Sequence, residues 1–301
     1  MKEKNFDVII IGGSYSGLSA AMSLGRSLRQ VLVIDSGLPC NRQTPHSHNF
    51  ITQDGEKPAV ISAKAKLQVE LYKTVHFYNG LATKAIKKEG GFEISTASGE
   101  VFTSRKVLFA SGVKDLIPEI KGFADCWGIS VLHCPYCHGY EVKNEKTAII
   151  ANGEMAFDFA KLISNWTKKL SLCTNGKSTL TLEQTEILKK HGVAIFEEEI
   201  DSFEHEQGYI QNIIFKNQEK TAVKAIYARP PFEQHCHLPK ELGCEITEQG
   251  LLKVDFMQNT NVGGIYASGD CTTQMRSVAI AVSTGSFAGA VINKDLIEED
   301  F

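Results

Sequence analysis

Proline is scarce in this sequence, 8 residues in 301, and no stretch is a run of one charge or a low-complexity tract. Collagen-like and intrinsically disordered chains are excluded on that ground. Basic charge is not in excess either: 32 Lys and Arg stand against 35 Asp and Glu, a net of −3. Nothing here supplies the positive field that nucleic-acid binding requires. No apolar run approaches the ~20 residues of a membrane-spanning helix. The opening Met1-Lys2-Glu3-Lys4-Asn5-Phe6-Asp7 lacks the apolar core and cleavage site of an export signal, so a cytoplasmic location is expected. At ~100–200 residues per domain the length suggests two domains, each able to hold a core without staples.

Cysteine is moderately common, with eight residues, but only Cys134 and Cys137 are closely spaced. Without an export signal, that pattern argues for redox or metal chemistry rather than a secreted disulfide framework. Cys40, Cys126, Cys173, Cys236, Cys244 and Cys271 read as buried small hydrophobes.

Hydrophobic patterning gives an α/β chain. Val8-Ile9-Ile10-Ile11 is an unbroken β-branched run, the mark of a strand buried on both faces. It ends in Gly12-Gly13-Ser14-Tyr15-Ser16-Gly17, and Leu18, Ala21, Met22 and Leu24 continue at helical spacing. Val31-Leu32-Val33-Ile34-Asp35 is a second buried strand, completing a βαβ unit. The stretch from Ser36 to about Gly55, with Pro39, Pro45, His46, His48 and Asn49, reads as a long loop of the kind that is usually functional or disordered. A second βαβ pattern starts at Thr147, with a strand at Ala148–Ala151, a helix at 154–165 and a strand at 170–174. Gly264 to Asp270 is again strand and turn, followed by a helix from about Ser277 to Ile297. Two Rossmann-like nucleotide-binding domains of similar three-layer plan are therefore expected.

The first glycine cluster has the form Gly12-x-Ser14-x-x-Gly17. Gly12 permits the tight turn and Gly17 the close approach of helix and strand, so amides at the helix start can hold a pyrophosphate. Asp35, at the end of the next strand, is placed to accept from ribose hydroxyls. The second cluster is damaged: its matching positions are Ala151, Gly153 and Ala156, and its next strand ends in Thr174-Asn175-Gly176-Lys177 with no acid. No arginine occurs between Arg105 and Arg229, which leaves Lys168, Lys169 or Lys177 as the cations for a 2′-phosphate. NAD(P)H binding is correspondingly doubtful. Asp270, in Ser268-Gly269-Asp270, reads as a cap of the final helix or as an acceptor from a cofactor hydroxyl.

Cys134-Pro135-Tyr136-Cys137 is flanked by His133 and His138. Such a pair can close a disulfide across a turn, with one thiol pKa lowered by a helix start or an imidazolium. His138 is placed to move the proton of thiol–disulfide exchange, with a pKa suited to neutral pH. Haem attachment through Cys-x-x-Cys-His, a zinc site using His133, Cys134, Cys137 and His138 or His235, Cys236 and His237, and two purely structural cysteines are the competing readings.

Taken together, the first fingerprint, the Ala110-Ser111-Gly112 turn, the central Cys-x-x-Cys and the Gly269-Asp270 turn resemble the low-molecular-weight thioredoxin reductases over essentially the whole chain. The resemblance implies an FAD domain in two pieces, 1–113 and 240–301, with a Cys-x-x-Cys-bearing, NAD(P)H-binding-like domain at 114–239. It implies that Gly12, Ser14, Gly17, Asp35, Ser36, Arg42 and Asn49 line the ADP and flavin side and that Gly112 closes its turn. Gly269 and Asp270 would meet the ribitol and phosphates, and Val278 and Ala279 the flavin pyrimidine. Cys137 would exchange electrons with the flavin, Cys134 would attack the substrate, and His138 would be the acid/base. Thioredoxin reductases carry an acid where this chain has His138 and a His-Arg-Arg type clamp where it has Thr174-Asn175-Gly176. The strings Cys-Pro-Tyr-Cys-His-Gly-Tyr-Glu and Leu-Cys-Thr-Asn-Gly are more similar to the gliotoxin- and holomycin-type dithiol oxidases of the same superfamily.

The expected function is that of an FAD-dependent disulfide/dithiol oxidoreductase, with O2 or NAD(P)(H) as the other electron partner. Its substrate would be a small dithiol or disulfide, or a thioredoxin-like protein. The resemblance also implies a homodimer. An NADPH-dependent thioredoxin reductase and a non-catalytic flavoprotein redox sensor are the alternative readings.

Overall fold

The computed structural model describes residues 4–301, so the start of the Met1–Asp7 segment lies outside the described residues. The chain forms two compact units. The first holds the chain up to Arg42, then Glu56–Lys114 and Phe232–Phe301; the second holds Gln43–Gly55 and Asp115–Pro231.

The first unit opens with β1 (Asn5–Ile11), α1 (Tyr15–Arg26), β2 (Val31–Asp35), α2 (Pro58–Val69) and β3 (Val75–Asn79). It continues with β4 (Ala82–Lys88), β5 (Gly91–Thr96), β6 (Val101–Phe109) and β7 (Val113–Asp115). The second unit contains α3 (Phe123–Cys126), β8 (Val131–Leu132), α4 (Pro135–His138), β9 (Thr147–Ile150) and α5 (Gly153–Ile163). There follow β10 (Leu170–Cys173), α6 (Leu182–Lys190), β11 (Ala194–Phe196), β12 (Ile200–Glu206), β13 (Tyr209–Phe215), β14 (Lys220–Ala222) and β15 (Ala225–Ala228). The first unit is then completed by β16 (Phe232–Gln234), α7 (Leu238–Glu241), β17 (Ile265–Ala267) and α8 (Val278–Asp300).

The large sheet runs β3-β2-β1-β6-β5-β4, with β17 also on β6. Strands β3, β2, β1, β6 and β17 are parallel, and β4–β5–β6 pair antiparallel. The apolar run in β1 serves two cores, as an unbroken β-branched strand should. Val8 and Ile10 pack with Leu18, Leu24 and Ile292 from α1 and α8. Ile9 and Ile11 pack with Phe92, Ile94 and Phe102 on the other face. Helix α8 lies tightly on α1: a Cβ on Gly285 would sit 2.1 Å from the Ser16 carbonyl oxygen.

The second unit has a five-stranded sheet, β11-β10-β9-β15-β8, parallel throughout, and a meander β12-β13-β14. Both units thus carry the mixed α/β, Rossmann-like plan expected from the two βαβ patterns. Residues 43–55 were expected with the FAD domain, yet they pack within the second unit. Gln43 Nε2 donates to the Ala124 carbonyl at 3.2 Å, and Thr44 lies against Gly128. No helix of the described residues is long and apolar enough to cross a membrane.

Candidate functional site

The carboxyl ends of β1, β2, β6 and β17 carry the first unit's motif residues. Gly12 has φ +108°, and a Cβ there would lie 2.3 Å from the Ala110 carbonyl oxygen. A Cβ on Gly17 would lie 1.8 Å from the Gly12 carbonyl oxygen, and one on Gly13 would meet the Asp35 side chain at 2.8 Å. These contacts leave glycine as the residue the turn accepts, and they place the Asp35 carboxylate beside it. Ser14 is the N-cap of α1 but makes no side-chain cap, and the first turn has no acid. Its leading amides therefore face outward with the positive end of the helix dipole, the arrangement that suits a pyrophosphate. Ser111, next to Gly112, has a buried hydroxyl with no hydrogen-bond partner. An uncapped helix start, an acid at the next strand end and a buried hydroxyl lacking a partner all fit a dinucleotide.

Gly269 (φ +81°) packs on Ser16, whose hydroxyl is 2.7 Å from that of Ser268. Asp270 lies in the 3-10 turn Gly269–Cys271 and does not cap α8; Ser277 does, its Oγ accepting from the Ile280 amide at 3.2 Å. Serine holds that place because it directly precedes the first helical residues, Val278 and Ala279. The Asp270 carboxylate instead faces Cys40 Sγ at 3.8 Å and Arg276 Nε at 3.9 Å. Cys40 is exposed, against the expectation that it packs, whereas Cys126, Cys173, Cys244 and Cys271 are buried and Cys236 is half-buried. Burial pushes the Cys126 and Cys236 thiols up to about 11 and those of Cys173 and Cys271 up to about 12, which makes them inert. Ser36 and Arg42 are exposed in the same unit, Arg42 donating to the Pro39 carbonyl at 3.2 Å. Asn49 belongs to the second unit, at φ +60°, with its amide donating to Asp54 Oδ1 at 2.7 Å.

In the second unit Cys134 and Cys137 form a disulfide at the carboxyl end of β8, their Cα atoms 5.3 Å apart. Pro135 sets the first helical position of α4, and the Cys137 amide donates to Cys134 Sγ at 3.2 Å. A negative charge on the Cys134 sulfur is stabilised by that contact. The turn sits on Trp166: a Cβ on Gly139 would meet its ring at 2.8 Å, and Tyr136 packs edge-on against it at 5.6 Å. His138 follows Cys137, and burial first, then the neighbouring His48, lower its pKa to about 4. The pKa is therefore not the near-neutral one expected from sequence; His138 is a neutral imidazole at neutral pH. Among the described residues no three His, Cys, Asp or Glu side chains converge as metal ligands.

The profile of the pyridine nucleotide-disulphide oxidoreductases matches residues 6–285. The chain belongs to that family. It is accordingly an oxidoreductase acting on disulfides and dithiols. A thioredoxin reductase of Leptosphaeria maculans, sirT, is 30% identical over 98% of this chain and 95% of its own. The solved structure of a thioredoxin reductase TrxB of Bacillus anthracis superposes with a TM-score of 0.94 at 31% identity, covering 98% of this chain and 100% of the other. An oxidoreductase of Agrobacterium tumefaciens gives 0.91 at 35% identity, covering 98% and 99%.

In a member of this family the second Rossmann-like unit is the one to test for a nicotinamide dinucleotide, and its residues do not fit one. Asn152 caps α5 with its own side chain: Oδ1 accepts from the Gly153 amide at 2.9 Å and the Thr179 amide at 2.8 Å. Its Nδ2 donates to the Lys177 carbonyl at 2.9 Å. The loop after β10 is thus tied to the residue that precedes α5, and the first amide of that helix is taken. Glu154 adds a negative charge in the first turn, the wrong sign for a phosphate. Lys168 is turned to the α5 end, donating to the Ser164 carbonyl at 2.7 Å.

Sequence reasoning named His138 but missed its neighbours. His48 stands edge-on to it, ring centroids 6.2 Å apart, with its Nδ1 3.5 Å from Glu141 Oε1 and 3.8 Å from Asp54 Oδ1. The clustering of His46 and His48 in a loop too long to be a simple connection was the available signal. The depressed His138 pKa also has a measurable consequence. Between about 4 and the ordinary 6.5, the unfolded chain holds a proton on this residue that the folded chain does not. Stability from this group is therefore full above pH 6.5 and falls as pH drops toward 4, by roughly 3 kcal/mol at ~1.4 kcal/mol per pH unit. His138→Gln is expected to gain about that much relative to the wild type between pH 7 and pH 4 in urea unfolding. An unchanged difference would show that the imidazole is not held neutral.

Proposed function

We propose that the chain is an FAD-dependent enzyme that passes an electron pair between a small dithiol and the Cys134–Cys137 disulfide, with no productive use of NAD(P)H. The observation that supports this most is the contrast between the two helix starts. Helix α1 has no side-chain cap and no first-turn acid, whereas α5 is capped by Asn152 and carries Glu154. One presents bare amides to an anion; the other has its first amide, that of Gly153, taken by Asn152 and a carboxylate in its first turn.

Gly12, Ser14 and Gly17 would hold the FAD pyrophosphate and Asp35 the adenosine ribose, with Gly112, Gly269, Asp270 and the start of α8 toward the flavin end. FAD, when bound, supplies a two-electron acceptor or donor for the cysteine pair. In the exchange, one substrate thiol gives its proton to neutral His138. The resulting thiolate attacks Cys134 Sγ, the Cys134–Cys137 bond breaks, and Cys137 leaves as a thiolate. His138 passes its proton to the Cys137 thiolate and takes that of the second substrate thiol. The second thiolate attacks the substrate sulfur of the mixed disulfide and displaces Cys134 as a thiolate that His138 then protonates. The substrate becomes a disulfide, the cysteine pair becomes a dithiol, and two electrons have moved. Cys137 is then the sulfur that hands the pair on, with O2 as the final oxidant of the cycle. The small-dithiol reading is preferred to a thioredoxin-like partner because His138 replaces the acid of thioredoxin reductases. We also propose a cytoplasmic enzyme, and a homodimer on the strength of the family resemblance.

The nicotinamide arm of an anaerobic titration tests this reading. NADPH at tens of micromolar is expected to bleach the flavin absorption slowly or not at all. Rapid bleaching at micromolar NADPH would restore the thioredoxin-reductase reading.

A further inference from the structure

Two cysteines and Pro135 suffice to close the disulfide turn, and nothing in that task requires an aromatic ring at position 136. Tyr136 stands there 58% exposed, directly after the buried Pro135. Its ring is nonetheless held in one place, edge-on against Trp166 with ring centroids 5.6 Å apart and planes at 89°. Trp166 is itself fixed. Its amide donates to the Ile163 carbonyl at 2.9 Å and its carbonyl accepts from the Asn144 amide at 2.9 Å. Gly139 packs so closely on the indole that a Cβ there would lie 2.8 Å from Cδ1 and Nε1. A single exposed aromatic is ordinary on a protein surface. One pinned by a second ring beside a reactive disulfide is a stacking platform that loses little freedom when a ligand binds. Tyr140, the next exposed ring in the chain, already has the Lys143 ammonium over it, 3.2 Å from its centroid.

From this arrangement we propose that Tyr136, braced by Trp166, is a specificity-determining residue whose exposed ring stacks on a flat ring of the substrate. The favoured substrate is then a dithiol whose two sulfurs are carried on an aromatic or other flat ring system. The proposal rests on the exchange reaction above and concerns the part of the substrate that bears no sulfur. Successive Cα atoms are about 3.8 Å apart. A substrate sulfur joined to Cys134 therefore brings its carbon framework within a tyrosine's reach of position 136. A flat ring there gains the contact with Tyr136 and gives up the water on that face. An open-chain dithiol forms the same sulfur bond without that gain. Tyr136 takes no part in making or breaking bonds, so the exchange itself proceeds as described.

The test compares two dithiols with the flavin-loaded, full-length protein under nitrogen. Dithiothreitol is an open chain; ortho-bis(mercaptomethyl)benzene carries two alkyl thiols on an aromatic ring and closes a cyclic disulfide of the same size. The initial rate of flavin bleaching is read well below saturation for the wild type, Tyr136→Ala, Tyr136→Leu and Tyr136→Phe. The rate with the aromatic dithiol, divided by that with dithiothreitol, is expected to fall about fivefold in Tyr136→Ala and Tyr136→Leu. Tyr136→Phe, which keeps the ring, is expected to hold the wild-type ratio. Tyr136→Leu still covers Trp166, so it gives the reading should Tyr136→Ala fold poorly. An unchanged ratio in the ringless variants would overturn the role of Tyr136, and so would an equal fall in Tyr136→Phe. A reduced thioredoxin serves as a third donor. Slowing of that donor in the ringless variants, with the ratio of the small dithiols unmoved, would assign the ring to a protein partner and overturn the proposal. A wild-type flavin that none of these donors bleaches would overturn the exchange reaction itself.

Discussion

Cys137→Ser is expected to remain yellow and to lose dithiol turnover by at least about 10⁴-fold. The disulfide it shares with Cys134 is the group through which the substrate's electrons enter, and serine oxygen neither forms nor breaks that bond at a useful rate. FAD should be retained, because the cradle residues Gly12, Gly17 and Asp35 belong to the first unit and the cysteine pair to the second. Steady-state turnover with dithiothreitol beside the visible spectrum separates the two properties. A Cys137→Ser protein with wild-type turnover would remove the cysteine pair from the reaction. Cys134→Ser should be equally inactive, since Cys134 Sγ accepts the Cys137 amide and is the sulfur whose thiolate the turn stabilises.

The second large effect is on the cofactor. Gly17→Val is expected to weaken FAD binding by at least ~100-fold, roughly 3 kcal/mol. The added Cβ would lie 1.8 Å from the Gly12 carbonyl oxygen, so helix α1 must move away from β1 or the turn must open. Either change takes the α1 amides out of position for the pyrophosphate. Gly263→Ala provides the comparison: its Cβ meets nothing within 4 Å, and it should bind FAD as the wild type does. Equilibrium dialysis of FAD against both variants, with circular dichroism to check the fold, gives the answer. Full occupancy of Gly17→Val would move the cofactor elsewhere.

Most of the fold was legible because its signals are local. A run such as Val8–Ile11 states that a strand is buried on both faces, and the glycines after it state where the backbone must turn. The damaged second fingerprint was legible in the same way, since Ala151 and the missing arginines are sequence facts. How the damage is repaired was not: Asn152 reaches Lys177 and Thr179 only after the strand–helix–strand unit closes. The cap of α8 went to Ser277 rather than Asp270 because the intervening residues form a separate turn, which composition does not announce.

The histidine site shows the same limit more sharply. His138 is visible beside Cys137, but its low pKa comes from burial and from a residue 90 positions earlier in the chain. Residues 43–55 lack periodicity, so nothing in them assigns the loop to one unit or the other. Its hydrogen bonds and its packing on Ala124 and Gly128 do. Asn49 was grouped with the flavin residues by resemblance alone and follows its loop into the second unit.

A dithiol acting through Cys134 and Cys137 is expected to reduce a flavin held on the first glycine turn. The dithiol arm of the anaerobic titration tests it directly. With dithiothreitol added stepwise under nitrogen to the yellow wild-type protein, the flavin absorption is expected to bleach within seconds, and the Cys137→Ser protein is expected to stay yellow. A wild-type spectrum that stays unchanged in excess dithiol, or a Cys137→Ser spectrum that bleaches as fast, would contradict it.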